Sequence, residues 1–151
     1  MDPLERAQLH RLVVSQGDPT VQVWSDVKQE WRSVGASELD SAGVLNIALY
    51  AQLARDDGFP AASGGCAFVM LAAHAALNGT VSAICGSWYP SSDNFKKFRE
   101  LVADGWSDAD AASETFTGQQ AALVGFPVVT IVEDRGHVVT ARFEPRRRDD
   151  G

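Results

Sequence analysis

Cysteine, histidine and positive charge are all scarce in this sequence. Two cysteines in 151 residues are too few for a disulfide-stapled scaffold or a four-cysteine zinc ribbon. The three histidines, His10, His74 and His137, lack the one-turn spacing by which a helix presents two imidazoles to zinc. Lys plus Arg number 13 against 20 Asp plus Glu, a formal net charge of −7. A protein that grips nucleic acid through its phosphates needs a basic face. Here basic residues run together only at Arg146, Arg147 and Arg148, and two acids follow them. Long apolar runs are missing as well. The longest, Gly64 to Leu77, is interrupted by His74 and is too short to span a bilayer. Neither nucleic acid nor membrane is therefore an expected partner. The opening residues MDPLERAQLHRL lack the basic and apolar regions of a secretory signal. Cytoplasmic residence is expected for the chain as given, with export as part of an effector system left open.

Phosphate-binding glycine patterns are absent too. Gly64-Gly65 belongs to neither G-x-G-x-x-G nor a Walker loop. Asp104, Asp108, Asp110 and Glu114 lack the spacing of a calcium loop and read as a solvated acidic helix start. No metal and no cofactor is expected.

The rest of the composition is ordinary for a globular protein. Hydrophobic residues make up 45% and charged residues 22%, enough to bury one core in one domain. The domain is expected over 1–145, with 146–151 a charged tail. Leu4, Leu9, Leu12 and Val13 suggest an amphipathic helix over residues 3–15, with Asp2-Pro3 as its start. Val21 and Val23 alternate with polar residues and predict a strand over 20–25. Trp31 and Val34 predict its hairpin partner. Ser37 and Asp40 resemble a capping box, and a helix from there to about Arg55 is expected. A loop follows from Asp56 to Gly65. Cys66 to Leu77 is the most apolar helix and the expected central element. Thr80–Cys85 reads as a strand, Gly86–Ser92 as a loop and Asn94–Ala103 as a helix. Short helices capped by Ser107 and Thr117 come next, and Val128–Glu133 with His137–Glu144 close the chain as a hairpin. The expected fold is α+β: a central apolar helix packed with other helices against antiparallel hairpins.

The last hairpin invites a register argument. If Asp134-Arg135-Gly136 is a three-residue turn, Glu133 faces His137, Ile131 faces Val139 and Val129 faces Ala141. Val129, Ile131, Val139, Ala141 and Phe143 then share the core face, with Glu133 and His137 side by side at its open end.

Ser63-Gly64-Gly65 leads into Cys66. A thiol at a helix start meets free N–H groups and the positive end of the helix dipole, both of which favour the thiolate. Gly65 would let a substrate carbonyl approach the backbone, and the same N–H groups could hold an oxyanion. His137 would serve as base and Glu133 would orient it. His74 lies eight residues from Cys66, about 12 Å along a helix, and is out of reach. Cys66 and Cys85 are expected as free thiols.

Gly65-Cys66-Ala67-Phe68 and Gly136-His137-Val138-Val139 resemble the papain-like thiol enzymes and related small amidase and deamidase domains. The resemblance implies Cys66 as nucleophile and His137 as base. No Asn or Asp follows His137 on a strand, so Glu133 stands in from before it. A second stretch, Gly86-Ser87-Trp88-Tyr89, Asp93-Asn94, Ala111-Ala112, Glu114-Thr115-Phe116-Thr117-Gly118 and Gly125-Phe126, resembles C-terminal domains of bacterial polymorphic toxins and effectors across Gly86 to Pro145. It implies an effector or an associated domain, with no chemistry assigned to those residues.

Two functional readings result. One is a small effector-like thiol-dependent amidase, deamidase or peptidase acting on a protein, peptide or amide through Cys66, His137 and Glu133. The other is a non-catalytic acidic binding domain, such as an immunity-type inhibitor of a basic toxin, meeting its partner through Trp88 or Tyr89. The first needs Cys66 at the surface; the second expects it buried.

Overall fold

The structure is a computed structural model, and it describes residues 10–15, 18–25, 27–49 and 63–146, without the side chains of 63 and 64. These residues build the expected α+β fold, with seven strands and four helices. All the strand pairings described below are antiparallel except one. The chain divides into two compact units, Met1–Leu39 with Ile47–Thr80 and Asp40–Asn46 with Val81–Gly151.

In the first unit, β1 (His10–Ser15), β2 (Asp18–Ser25) and β3 (Glu30–Leu39) form consecutive antiparallel pairs. The helix expected over 3–15 is thus a strand in its second half; residues 3–9 lie outside the described residues. The apolar spacing that suggested a helix is overridden by the ladder. Leu12 faces Val21, and Ser15 faces Asp18 across a two-residue connection, while β-branched Val13 and Val14 favour extended backbone.

β2 follows the expected alternation. Val21 and Val23 are fully buried and Ser25 nearly so. The Ser25 hydroxyl accepts the Lys28 N–H at 3.1 Å, tightening the turn into β3. On the other face Trp24 packs edge-on against Trp31 at 5.7 Å. The Arg11 guanidinium stacks 4.1 Å above the Trp31 ring, and its Nε donates to Gln22 at 2.8 Å.

Helix α1 (Ser63–Asn78) lies on β1, β2 and β3. Val21, Val23, Val34, Ala67 and Leu71 form the core, with Leu12, Ile47, Leu49 and Met70 around it. Gly35 permits this approach. A β-carbon there would stand 3.0 Å from Leu49 Cδ2 and 3.4 Å from Ala67 Cβ.

The second unit begins where a helix was expected and a turn stands. Ser37 lies within β3. Asp40 Oδ1 accepts the N–H groups of Ala42 at 2.9 Å and Val44 at 3.0 Å, and Gly43 takes φ +82°. Strand β4 (Val44–Leu49) follows, which corrects the helix expected to Arg55 as far as Leu49; residues 50–55 are outside the described residues. Its start runs parallel to β5 (Ala83–Trp88), with Leu45 facing Ile84 and Asn46 facing Cys85. Strand β5 pairs with β7 (Val139–Glu144), and β7 with β6 (Val128–Asp134), both antiparallel.

Three helices complete this unit: α2 (Asp93–Ala103), α3 (Asp108–Ser113) and α4 (Phe116–Leu123). Their boundaries follow from capping chemistry. Ser92 accepts the Phe95 N–H and Ser107 the Asp110 N–H. Thr115 caps α4, where Thr117 was expected: its hydroxyl accepts the Gly118 N–H at 3.0 Å and donates to Ala112 O at 2.6 Å. Gly105 and Gly125 take φ +96° and +97° just past α2 and α4, as C-terminal glycines do.

Candidate functional site

The hairpin of β6 and β7 holds two of the three expected catalytic residues, so its register decides their geometry. Ile131 faces Ala141 and Val129 faces Phe143, two residues away from the expected pairing. A shift of two keeps every side chain on its side of the sheet. The expected core face is accordingly right: Val139 and Ala141 are fully buried, Phe143 and Val129 nearly so. The tip differs. A bulge between Ile131 and Glu133 sets Glu133 opposite Thr140, and the Arg135 N–H closes the turn on Val138 O at 2.9 Å. Glu133 does not face His137; its carboxylate is paired with the Arg135 guanidinium. His137 is exposed in the turn.

Asp134 organises this tip. Its Oδ1 accepts the Gly136 N–H at 2.9 Å, and Gly136 takes φ +83°. Arg99 of α2 reaches across with two bonds to the Asp134 carboxylate, at 2.7 and 2.6 Å, and a third to Gly136 O at 3.1 Å. The hydrogen bonds from Arg99 and then from Gly136 pull the Asp134 carboxyl down to about 2. Arg99 also lies over the Phe95 and Phe98 rings. A bidentate arginine–carboxylate pair is the strong form of such a contact. It fastens the hairpin to α2 and leaves Glu133 to its neighbour.

Cys66 stands in the first turn of α1, with Gly65 just before it, and is exposed; the thiol-enzyme reading needs that exposure, whereas the binding reading expected the thiol buried. It belongs to the first unit, and Glu133 and His137 to the second. Cys85 is half-buried on β5; burial pushes its thiol pKa up, partly offset by the positive charge of Arg142. Both thiols are free, as expected.

Trp88 and Tyr89 part company. The segment expected as a loop from Gly86 is still β5 through Trp88. That indole is 3% exposed and packs 5.9 Å from Phe98. Trp88 is core and presents nothing to a partner. Tyr89, the next residue, is 55% exposed.

Other residues of that stretch also have structural roles. Asn94 clasps Thr117 twice, donating to its hydroxyl at 2.8 Å and accepting its N–H at 3.1 Å. Ala111 and Ala112 are fully buried, and Thr115 caps α4.

Sequence reasoning took Asp104, Asp108, Asp110 and Glu114 as a solvated acidic helix start and did not weigh the exposed apolar side chains of the same segment. Residues 100–134 contain seven acids and no Lys or Arg. Glu100, Asp104, Asp108, Asp110 and Glu114 are all exposed, and none forms an ion pair among the described residues. The same segment exposes Trp106 at 44%, Phe116 at 39% and Leu123 at 76%. The signal was present in the sequence as a long stretch without a cation.

Among the described residues no group of His, Cys, Asp or Glu is arranged to hold a metal ion, and no helix is long and apolar enough to cross a membrane. No protein family, curated protein or solved structure matches the chain.

Proposed function

We propose that this protein is a non-catalytic acidic binding domain, of the immunity-inhibitor kind, that covers a basic surface on a protein partner. One observation carries the reading. Five exposed carboxylates between Glu100 and Glu114, unpaired among the described residues, share a cation-free segment with an exposed tryptophan. Carboxylates held in no internal ion pair supply a field that steers a basic surface and fixes its register. A partly exposed indole is the side chain most often found at the energetic centre of an interface. The test is titration calorimetry against a panel of purified basic bacterial toxin domains. One of them should bind, and Trp106→Ala or the pair Asp108→Lys, Asp110→Lys should weaken that complex about tenfold or more. If no domain binds, or the charge reversals leave affinity unchanged, the reading fails.

A second reading is favoured by the exposure of Cys66. It is a thiol-dependent amidase, deamidase or peptidase with Cys66 as nucleophile in the first turn of α1. The check is iodoacetamide alkylation against pH in the native protein, read by peptide mass, with Cys85 as the internal comparison. Alkylation of Cys66 much faster than that of Cys85, with hydrolysis of an amide substrate that Cys66→Ser abolishes, supports an enzyme. Equally slow alkylation of both thiols leaves the binding reading alone.

A further inference from the structure

Resting on the binding reading, the geometry points to a seat for one kind of partner segment: a basic amphipathic helix docked in the groove between α3 and α4. The groove is a shallow, open depression of about 450 Å³, lined by Ser113 at the end of α3 and by Gln119, Gln120, Ala122 and Leu123 of α4. Helical spacing extends it in both directions. Phe116, Gln119, Gln120 and Leu123 are separated by three, four and seven residues, so they share one face of α4. Asp110 and Ser113, three apart, share one face of α3. The surface thus sets two exposed apolar side chains, Phe116 and Leu123, beside two glutamine amides. The exposed carboxylates of Asp110 and Glu114 stand on the chain leading into it.

This is the layout by which a groove takes an amphipathic helix: apolar anchors along a line and charge at the margin. Charge complementarity selects the occupant. With no Lys or Arg from residue 100 to 134, an acidic helix would be repelled and a purely apolar one would leave the carboxylates unanswered. A helix with leucine on one face and lysine on the other answers both. The Thr115 cap and the Asn94–Thr117 clasp fix the start of α4 against α3 and α2.

The test uses a synthetic Leu/Lys amphipathic helix of about 15 residues, long enough to form several turns. Its control is a scrambled peptide of the same composition that cannot form an apolar face. Both are titrated into the full-length protein and into Leu123→Ser and Asp110→Lys variants. Leu123 is 76% exposed, so its replacement leaves the fold intact. The expected result is that the amphipathic peptide binds at least about tenfold more tightly than the scramble, and that either variant removes that preference. Backbone amide shifts should concentrate at Ser113, Gln119, Gln120 and Leu123. Equal affinity for both peptides, with Leu123→Ser silent and charge reversal effective, would overturn the groove and leave the acidic-surface reading standing. Failure of both peptides to bind would count against both. Association of the protein with itself through Leu123, without peptide, would overturn the proposal in favour of a second copy.

Discussion

Gly118 has no room for a methyl group. A β-carbon there would stand 2.2 Å from Ala112 O and 2.8 Å from Ser113 O, and both are backbone atoms that cannot swing aside. The crowding comes from Thr115, whose buried hydroxyl ties Ala112 O to Gly118 N and so brings the end of α3 against the start of α4. Alanine is the better helix former by about 1 kcal/mol, yet Gly118→Ala should destabilise the protein by about 2 kcal/mol or more, as overpacking against rigid neighbours does. Urea unfolding measures it; an unchanged midpoint would mean that the junction opens freely. Thr115→Val keeps the shape and removes the hydroxyl, so a buried N–H loses its acceptor. It should cost about 1–2 kcal/mol. Ser107→Ala, at an exposed cap, should cost less than about 1 kcal/mol in the same assay. The sequence was ambiguous at this point for a physical reason. Thr117 stands three residues before Gln120 and imitates a capping box, whereas the true cap is followed at that distance by glycine. Ser107 had no such rival and was legible.

At the scale of elements, the β6–β7 hairpin and α2 were found where the sequence put them, and the contact that fastens them was not. Binary patterning gave the buried face, because any even shift of register preserves it. It could not give the turn, which depends on one carboxylate accepting both from its own backbone and from a distant arginine. Two further elements were misread because local helix signals were trusted over alternation. Leu45, Ile47 and Leu49 are the more buried residues of β4, and Asn46 and Ala48 are exposed. That period of two was already visible. Asp40 looked like part of a helix cap and closes a turn instead, since its side chain can satisfy either geometry.

The Arg99–Asp134 clamp makes a pH prediction. The Asp134 carboxyl is lowered to about 2, so folding favours its charged form. The stabilisation is complete above the ordinary carboxylate range and is lost as pH falls through that range toward 2. Wild type and Asp134→Asn should therefore differ in thermal midpoint at neutral pH and converge as the acid limb is descended. The side chains are about one-third exposed, so solvent screening keeps the difference to about 1 kcal/mol. A gap that persists undiminished to about pH 2 would assign the effect to packing.

For the molecule as a whole, the sign and density of charge are the properties most directly legible in sequence, and they bear most directly on the proposed function. The net charge is −7 at pH 7, and it vanishes near the isoelectric point of 4.8. Which carboxylates are left outside ion pairs was not legible, because that depends on where the turns and caps place each arginine. Asp134 and Glu133 are paired with Arg99 and Arg135, whereas the acids from Glu100 to Glu114 form no ion pair among the described residues, Asp108 acting on Arg99 only through its charge. Attraction to a basic helix should accordingly fade with salt. Affinity for the Leu/Lys peptide should fall about tenfold as salt is raised from about 50 mM to about 500 mM at pH 7, with the circular dichroism of the protein unchanged, because exposed charges are screened over a few ångströms at the higher value. Affinity that resists salt would place the binding energy in Phe116 and Leu123 alone, and the carboxylates would then be a solvated surface with no part in choosing the partner.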